Sequence, residues 1–195
     1  FKQLDQLFND LWGLRSLDCM SSIVTRFIKE QISNDFTERR IHNKKIEYPQ
    51  EYNLLVDQIL GMRFPSISKG SFQTISTLRM SSSSPYAFYN SFNIPFPKDF
   101  VDPKLNYLVD LIKQKPGERW LIFSEFKKTA EYISNNINNR LILSMSGDSS
   151  TEEREAYTYL FQKEESSVMI MTPVGSEGLD FQVCSNLVNY DLHWN

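Results

Sequence analysis

Cysteine and histidine are the scarcest chemistry in this chain of 195 residues, with Cys19 and Cys184 its only cysteines and His42 and His193 its only histidines. Neither pair has metal-type spacing, and neither histidine has an acid or cysteine at ligand distance in sequence, so no metal site is expected. Two distant cysteines also make no disulfide framework, and the plain reading is a reduced cytosolic protein. Excess positive charge is lacking as well. The net charge is −3 and the pI about 5.5, which argues against a free-standing nucleic-acid binder, because phosphate neutralisation needs a basic face. No apolar run approaches the ~18 residues a membrane span requires. The chain has no initiator methionine, begins at Phe1 and stops at Asn195 at the end of an apolar run, which suggests a fragment of a longer protein.

What is present is a foldable core. Apolar residues make up 41% and charged residues 23%, the balance of a globular chain,. Residues 1 to about 32 carry helical spacing, in Leu4, Leu7, Phe8, Leu11 and Trp12 and again in Ile23, Val24, Phe27 and Ile28,. The period breaks from Arg40 to Tyr48, where an extended strand is predicted. Pro49 then opens a helix with Tyr52, Leu55, Val56 and Ile59 on one face and Gly61 at its end. A further helix is predicted over 72–92, interrupted near the serine run and Pro85. Three prolines between Ile94 and Pro103 preclude a regular element, so residues 94–102 read as a linker,.

Beyond the linker the pattern becomes regular. Asp102 can cap a helix with Pro103 at its first position and Leu105, Leu108, Val109 and Ile112 buried. Trp120 to Phe123 is an unbroken apolar run, as in a central parallel strand. A helix with Ala130, Ile133 and Ile137 inward follows, then a strand opening at Leu141 to Leu143. Ser150 and Glu153 have capping-box spacing before a helix expected to bury Ala156, Leu160 and Phe161. Val168 to Met171 and Leu187 to Val188 make two more strands. Strand centres lie roughly 20 to 30 residues apart, a distance that needs helical crossovers and so a parallel sheet. The predicted fold is α/β: a doubly wound parallel sheet over 103–195, preceded by a mainly helical segment over 1–93.

The densest chemistry lies between Met169 and Asn195. A buried strand ends at Thr172, a loop with Gly175 and Gly178 carries Asp180, and a second apolar run leads to Asp191 and Trp194. Polar groups therefore gather at the carboxyl end of a parallel strand, where open α/β sheets bind ligands. The stretch T-P-V-G-S-E-G-L-D, residues 172–180, resembles motif V of superfamily 2 helicases and translocases, and L-V-N-Y-D-L-H-W-N resembles the strand leading into motif VI. Two further blocks match in the same order: W-L-I-F-S-E-F-K-K-T-A-E-Y-I, residues 120–133, resembles motif IV of Swi/Snf-type ATPases, and M-S-G-D-S-S-T-E-E-R, residues 145–154, the block after it. Before the linker, R-R-I-H-N-K-K-I-E-Y-P-Q-E-Y and L-R-M-S-S-S-S-P-Y-A-F-Y resemble the segment joining the two ATPase lobes of HepA-like proteins.

The resemblance implies the second RecA-like lobe of a Swi/Snf- or HepA-like ATPase, cut before motif VI. Thr172, Ser124 and Gly147 would contact the backbone of a nucleic acid, while Gly178 and Asp180 would face the nucleotide. Plainer roles stand beside these: strand-end or loop caps for Thr172, Ser124 and Asp180, and ordinary turns for the glycines. Glu177 reads as a solvated loop charge, and Asp191 can orient the face between the lobes. Pro173 replaces the family's usual acid, and His193 stands where relatives have proline. There is no G-x-x-x-x-G-K-[ST] phosphate loop and no D-E-x-H block, both of which belong to the family's first lobe. The chain by itself is thus expected to hold no catalytic residue, with ATP and Mg2+ bound mainly by that first lobe. Expected partners are double-stranded DNA, the first RecA-like lobe, and RNA polymerase or another DNA-bound protein, with no membrane; the expected location is the bacterial nucleoid. An RNA helicase lobe and a non-catalytic α/β interaction module are the alternatives.

Overall fold

The computed structural model describes residues 40–63, 72–173 and 181–192. The helices expected over 1–32 lie outside the described residues. Contacts divide the chain into two compact units, Phe1–Lys44 and Lys45–Asn195; everything below concerns the second.

Six helices and four strands stand among the described residues. They run α1 (Gln50–Arg63), α2 (Phe72–Ser83), α3 (Pro85–Ser91), α4 (Pro103–Lys113), β1 (Trp120–Phe123), α5 (Lys127–Asn136), β2 (Ile142–Met145), α6 (Thr151–Lys163), β3 (Val168–Met171) and β4 (Asn186–Asn189). The strands form one sheet in the order β2-β3-β1-β4, with every pairing parallel. The doubly wound α/β lobe is therefore present. Its central strands β1 and β3 pair Ile122 with Ile170, and their alternate residues feed two cores. Trp120, Ile122, Val168 and Ile170 pack with Leu105, Leu108 and Ile112 of α4 and Ala130 and Ile133 of α5. Leu121, Met169 and Met171 face the other way, with Leu143 and Met145 of β2 and Phe161 of α6. Burial on both sides explains why these strands read as continuous apolar runs.

Local signals set the helix starts. The Asp102 side chain accepts from the Lys104 and Leu105 amides ahead of Pro103, and Ser150 and Glu153 form a reciprocal capping box,. Ser84 separates α2 from α3 and caps α3 through the Ala87 amide.

Ahead of the lobe, Tyr52, Val56 and Ile59 of α1 meet Phe88 and Tyr89 of α3 in an aromatic knot. Phe96 and Phe100, from the proline-rich stretch, join it. Phe96 also touches the lobe's core, and Tyr86 stacks on Tyr132 with ring centroids 4.8 Å apart. Asn93, at φ 54°, supplies the left-handed turn from α3 into this stretch,.

Three expectations are corrected. Residues 40–48 form no strand: Lys45 pairs with Glu47 in the open, and among the described residues the stretch joins no ladder,. Gly61 lies inside α1 rather than at its end. Its φ is not in the left-handed region and its surroundings are open, so the helix continues at a cost of about 1 kcal/mol relative to alanine. In α6, Phe161 is buried while Ala156 and Leu160 are exposed. The inward stripe is Tyr157 and Phe161, one turn apart,.

Candidate functional site

The parallel ladder carries three backbone bonds past the strand ends: Ser124 N–H to Met171 O at 3.0 Å, Thr172 N–H to Met145 O at 3.1 Å, and Tyr190 N–H to Phe123 O at 2.9 Å. These bonds align the carboxyl ends of the strands as one rim. Across it runs an open groove of about 430 Å³, lined by Glu125, Phe126 and Lys127 after β1, Ser146, Gly147 and Asp148 after β2, and Thr172 and Pro173 after β3. Ser76 and Arg79 of α2 close its remaining side.

Thr172 and Gly147 thus meet in one groove. Ser124 sits below it, buried, and its hydroxyl donates to Asp191 at 2.8 Å. Gly178 and Asp180 lie outside the described residues. Asp191 is the centre of a second arrangement. Its carboxylate also accepts from Ser83 Oγ at 2.9 Å and the Glu125 amide at 2.9 Å. Lys104 Nζ reaches the same carboxylate at 3.2 Å and donates to the Ser82 and Ser83 carbonyls at 2.9 and 3.0 Å. Burial pulls the Lys104 ammonium below its usual range, against the opposing pull of Asp191. Ser83 Oγ lies 2.8 Å from Thr129 Oγ1 as well. The serine run is thereby tied to the rim.

The groove holds matched charges. Lys127 pairs with Asp148, whose hydrogen bond and charge hold the lysine above and the aspartate below their usual ranges. Arg79 pairs with Glu125. The first turn of α5 opens at Phe126 with no side-chain cap, so its amides present the partial positive charge of a helix start. Hydroxyl, glycine, ammonium and helix start together suit an anionic backbone rather than an apolar ligand. No group of three or more histidine, cysteine, aspartate or glutamate side chains comes together to hold a metal ion among the described residues.

Sequence reasoning did not assign Ser76, Arg79 or Lys127 to the site. Lys127 sits inside a block that resembles motif IV and was legible there. Ser76 and Arg79 come from another helix; Arg79 lies in the quoted block 78–89, which carried no ligand assignment, and Ser76 just ahead of it. No helix among the described residues is long and apolar enough to cross a membrane.

A parallel sheet with polar groups massed at its carboxyl rim is the architecture of RecA-like lobes, and comparison with known proteins agrees. Residues 103–195 match the helicase conserved C-terminal domain. The RNA polymerase-associated protein RapA of Vibrio parahaemolyticus is 26% identical over 168 residues, 82% of this chain and 16% of that protein. A probable ATP-dependent RNA helicase, ddx41 of Dictyostelium discoideum, is 32% identical over 104 residues, 51% of this chain and 15% of that protein. The SWI2/SNF2 ATPase core domain of Sulfolobus solfataricus shares the fold over 94% of this chain and 42% of its own, with a TM-score of 0.63 and 16% identity. Residues 103–195 thus match a helicase conserved C-terminal domain, and the likeness to the SWI2/SNF2 ATPase core shows the same fold. The chain spans only about a sixth of the length of these curated relatives.

Proposed function

We propose that the chain is part of an ATP-dependent translocase on double-stranded DNA, in which residues 1–93 join two lobes, 94–102 link, and 103–195 form the second lobe. The observation that carries this reading is the reach of the likeness. The match to the RNA polymerase-associated protein covers 82% of the chain and so must extend well ahead of residue 103, whereas the match to the RNA helicase covers 51%, about the length of the lobe alone.

In the cycle, the lobe supplies one wall of an ATP cleft and one grip on the duplex. Thr172 offers a hydroxyl and backbone to a phosphate oxygen, Gly147 lets the strand approach closely, and Lys127 leaves Asp148 to neutralise charge. Gly178 and Asp180 are assigned to the nucleotide on the motif they resemble. ATP and Mg2+ are held mainly by the first lobe, whose binding closes the cleft. RNA polymerase or another DNA-bound protein is the proposed protein partner, with the bacterial nucleoid as the place of action.

ATP turnover of the full-length protein with duplex DNA and with RNA tests the reading. Stimulation by duplex DNA is expected. Equal or larger stimulation by RNA would favour an RNA helicase, and no turnover with either would leave an interaction module. The 195-residue chain alone should turn over ATP far below roughly 1 per second and bind duplex DNA more weakly than about 1 μM near physiological salt.

A further inference from the structure

Among the described residues, the buried side-chain polar atoms without a hydrogen-bond partner are few: Tyr48 Oη, Asp102 Oδ2, Tyr190 Oη and the Trp120 indole nitrogen. Leaving such an atom dry costs more than a typical hydrogen bond gains, so each calls for a partner. The indole stands apart, at the amino-terminal end of β1. Asp102 and Tyr190 belong to the opposite end, where Asp102 caps α4 and Tyr190 follows β4. We propose that Tyr48, Asp102 and Tyr190 hold one internal water molecule between them, and that this water clasps the segment ahead of the lobe to the lobe itself.

Three parts of the chain meet at this point. Asp102 is 3% exposed, and its Oδ1 accepts from the Lys104 and Leu105 amides at 2.9 and 3.1 Å, so only Oδ2 is left over. Tyr190 is 7% exposed. It is fixed by its amide bond to the Phe123 carbonyl and by Lys104, whose ammonium lies 4.1 Å from the ring centroid. Tyr48 arrives through the aromatic knot: its ring meets Tyr52 at 5.2 Å, and Tyr52 meets Phe100, just ahead of Asp102, at 5.7 Å. Electrostatics make the three neighbours as well. Burial first and the Asp102 charge second hold both phenols above their usual range, and Tyr48 adds to the effect on Tyr190,. The chemistry of the ligand follows from its surroundings. An anion would face Asp102 and Asp191. A cation would meet the Lys104 ammonium, and a hard metal ion asks for about six oxygen ligands. Water is neutral, accepts from two phenolic O–H groups and donates to Oδ2, and buried waters typically make about three such bonds. Lys104 carries the contacts on to Asp191 and to the Ser82 and Ser83 carbonyls. The water thereby joins Tyr48 to the network beneath the groove.

The test has two parts, both on the full-length protein. A crystal structure that shows ordered solvent should place one water within about 3.2 Å of Tyr48 Oη, Asp102 Oδ2 and Tyr190 Oη. No solvent at that point, a metal ion in its place, or phenols bonded directly to Asp102 overturns the proposal. Amide hydrogen exchange is then followed for wild type, Tyr48→Phe, Tyr190→Phe and the double variant. Each single change removes a buried partner and should speed exchange of the Lys104 and Leu105 amides by about tenfold. A shared water couples the two phenols, so the double variant should depart from the product of the single effects. Unchanged exchange in either single variant overturns the clasp. So does a simple product in the double variant, which would mean that each phenol is satisfied separately.

Discussion

The two rims of this sheet use polar side chains in opposite ways. At the amino-terminal rim the donors serve the chain's own carbonyls. Arg140 reaches the Glu118, Ile112 and Lys115 carbonyls at 2.8, 2.9 and 2.7 Å, Arg119 the Phe161 and Gln162 carbonyls, and Asn186 the Arg119 carbonyl. They close the end of α4, the end of α6 and the start of β4, which is what helix ends and loops demand of nearby donors. At the carboxyl rim the Asp191 network and Arg154, which reaches the Ser146 and Ser149 carbonyls, work inward, while the paired Lys127 and Asp148 line an open groove with Gly147 and Thr172. A polar group near a strand end is therefore not a functional signal by itself. What separates the rims is that at the carboxyl rim charged side chains pair with each other around the groove, whereas at the amino-terminal rim they close backbone carbonyls.

The largest test of this contrast concerns the network beneath the groove. Asp191→Ala would strand the Lys104 ammonium, whose side chain is 17% exposed, and remove the acceptor of Ser83, Ser124 and the Glu125 amide. Removing one partner of a buried ion pair costs about 3–5 kcal/mol, readable by urea unfolding. A loss below about 1 kcal/mol would mean that Asp191 does not hold α2 to the rim.

A second test uses pH. Burial, aided by the charge of nearby carboxylates, holds the phenols of Tyr48, Tyr132 and Tyr190 above their usual value of 10.0, and burial does the same to Tyr52. A group whose folded pKa is raised contributes stability fully below its unfolded pKa and loses it as pH rises beyond. The melting temperature should therefore hold up to pH 10 and fall progressively above it. Lys104, shifted down from 10.5, acts with the opposite sign just below that pH, against these phenols and Tyr89, which burial also raises. A flat profile from pH 9 to 11 would show that these rings are not sealed in the fold.

At the other rim the expected effect is smaller. Arg140→Ala deletes three charge-assisted bonds from a side chain that remains partly solvated, and should cost about 2 kcal/mol without altering nucleic-acid-stimulated turnover below the melting range. Loss of turnover at unchanged stability would place function at the wrong rim.

Legibility in the sequence followed the same division. The lobe's strands could be read because burial on both faces makes them unbroken apolar runs, and its helices because Asp102, Pro103 and Ser150 announce their starts. Thr172 and Gly147 could be placed at one rim because both follow the ends of those strands. The aromatic knot was hidden: Phe96 and Phe100 sit in a proline-rich stretch with no helical or strand period, and only the folded chain brings them to Tyr52 and Tyr89. The bond from Ser124 to Asp191 could not be read, because the two lie 67 residues apart. Arg79 was quoted within the block 78–89, but its approach to Glu125, 46 residues away, could not be read from spacing.

The smallest change in stability should carry the largest change in function. Thr172 keeps its backbone bond to Met145 whatever its side chain, so Thr172→Ala should cost only about 1 kcal/mol. Displacing a contact that sets the closing register of two lobes can cost far more in rate, about tenfold or above. The direct measurement is thermal melting and duplex-DNA-stimulated ATP turnover on the same preparations of full-length Thr172→Ala and Arg140→Ala. The account predicts that Thr172→Ala melts nearly as wild type and loses at least about tenfold in stimulated turnover, while Arg140→Ala melts earlier and turns over normally. Wild-type turnover in Thr172→Ala would contradict it, because the groove at the carboxyl rim would then be shape without function.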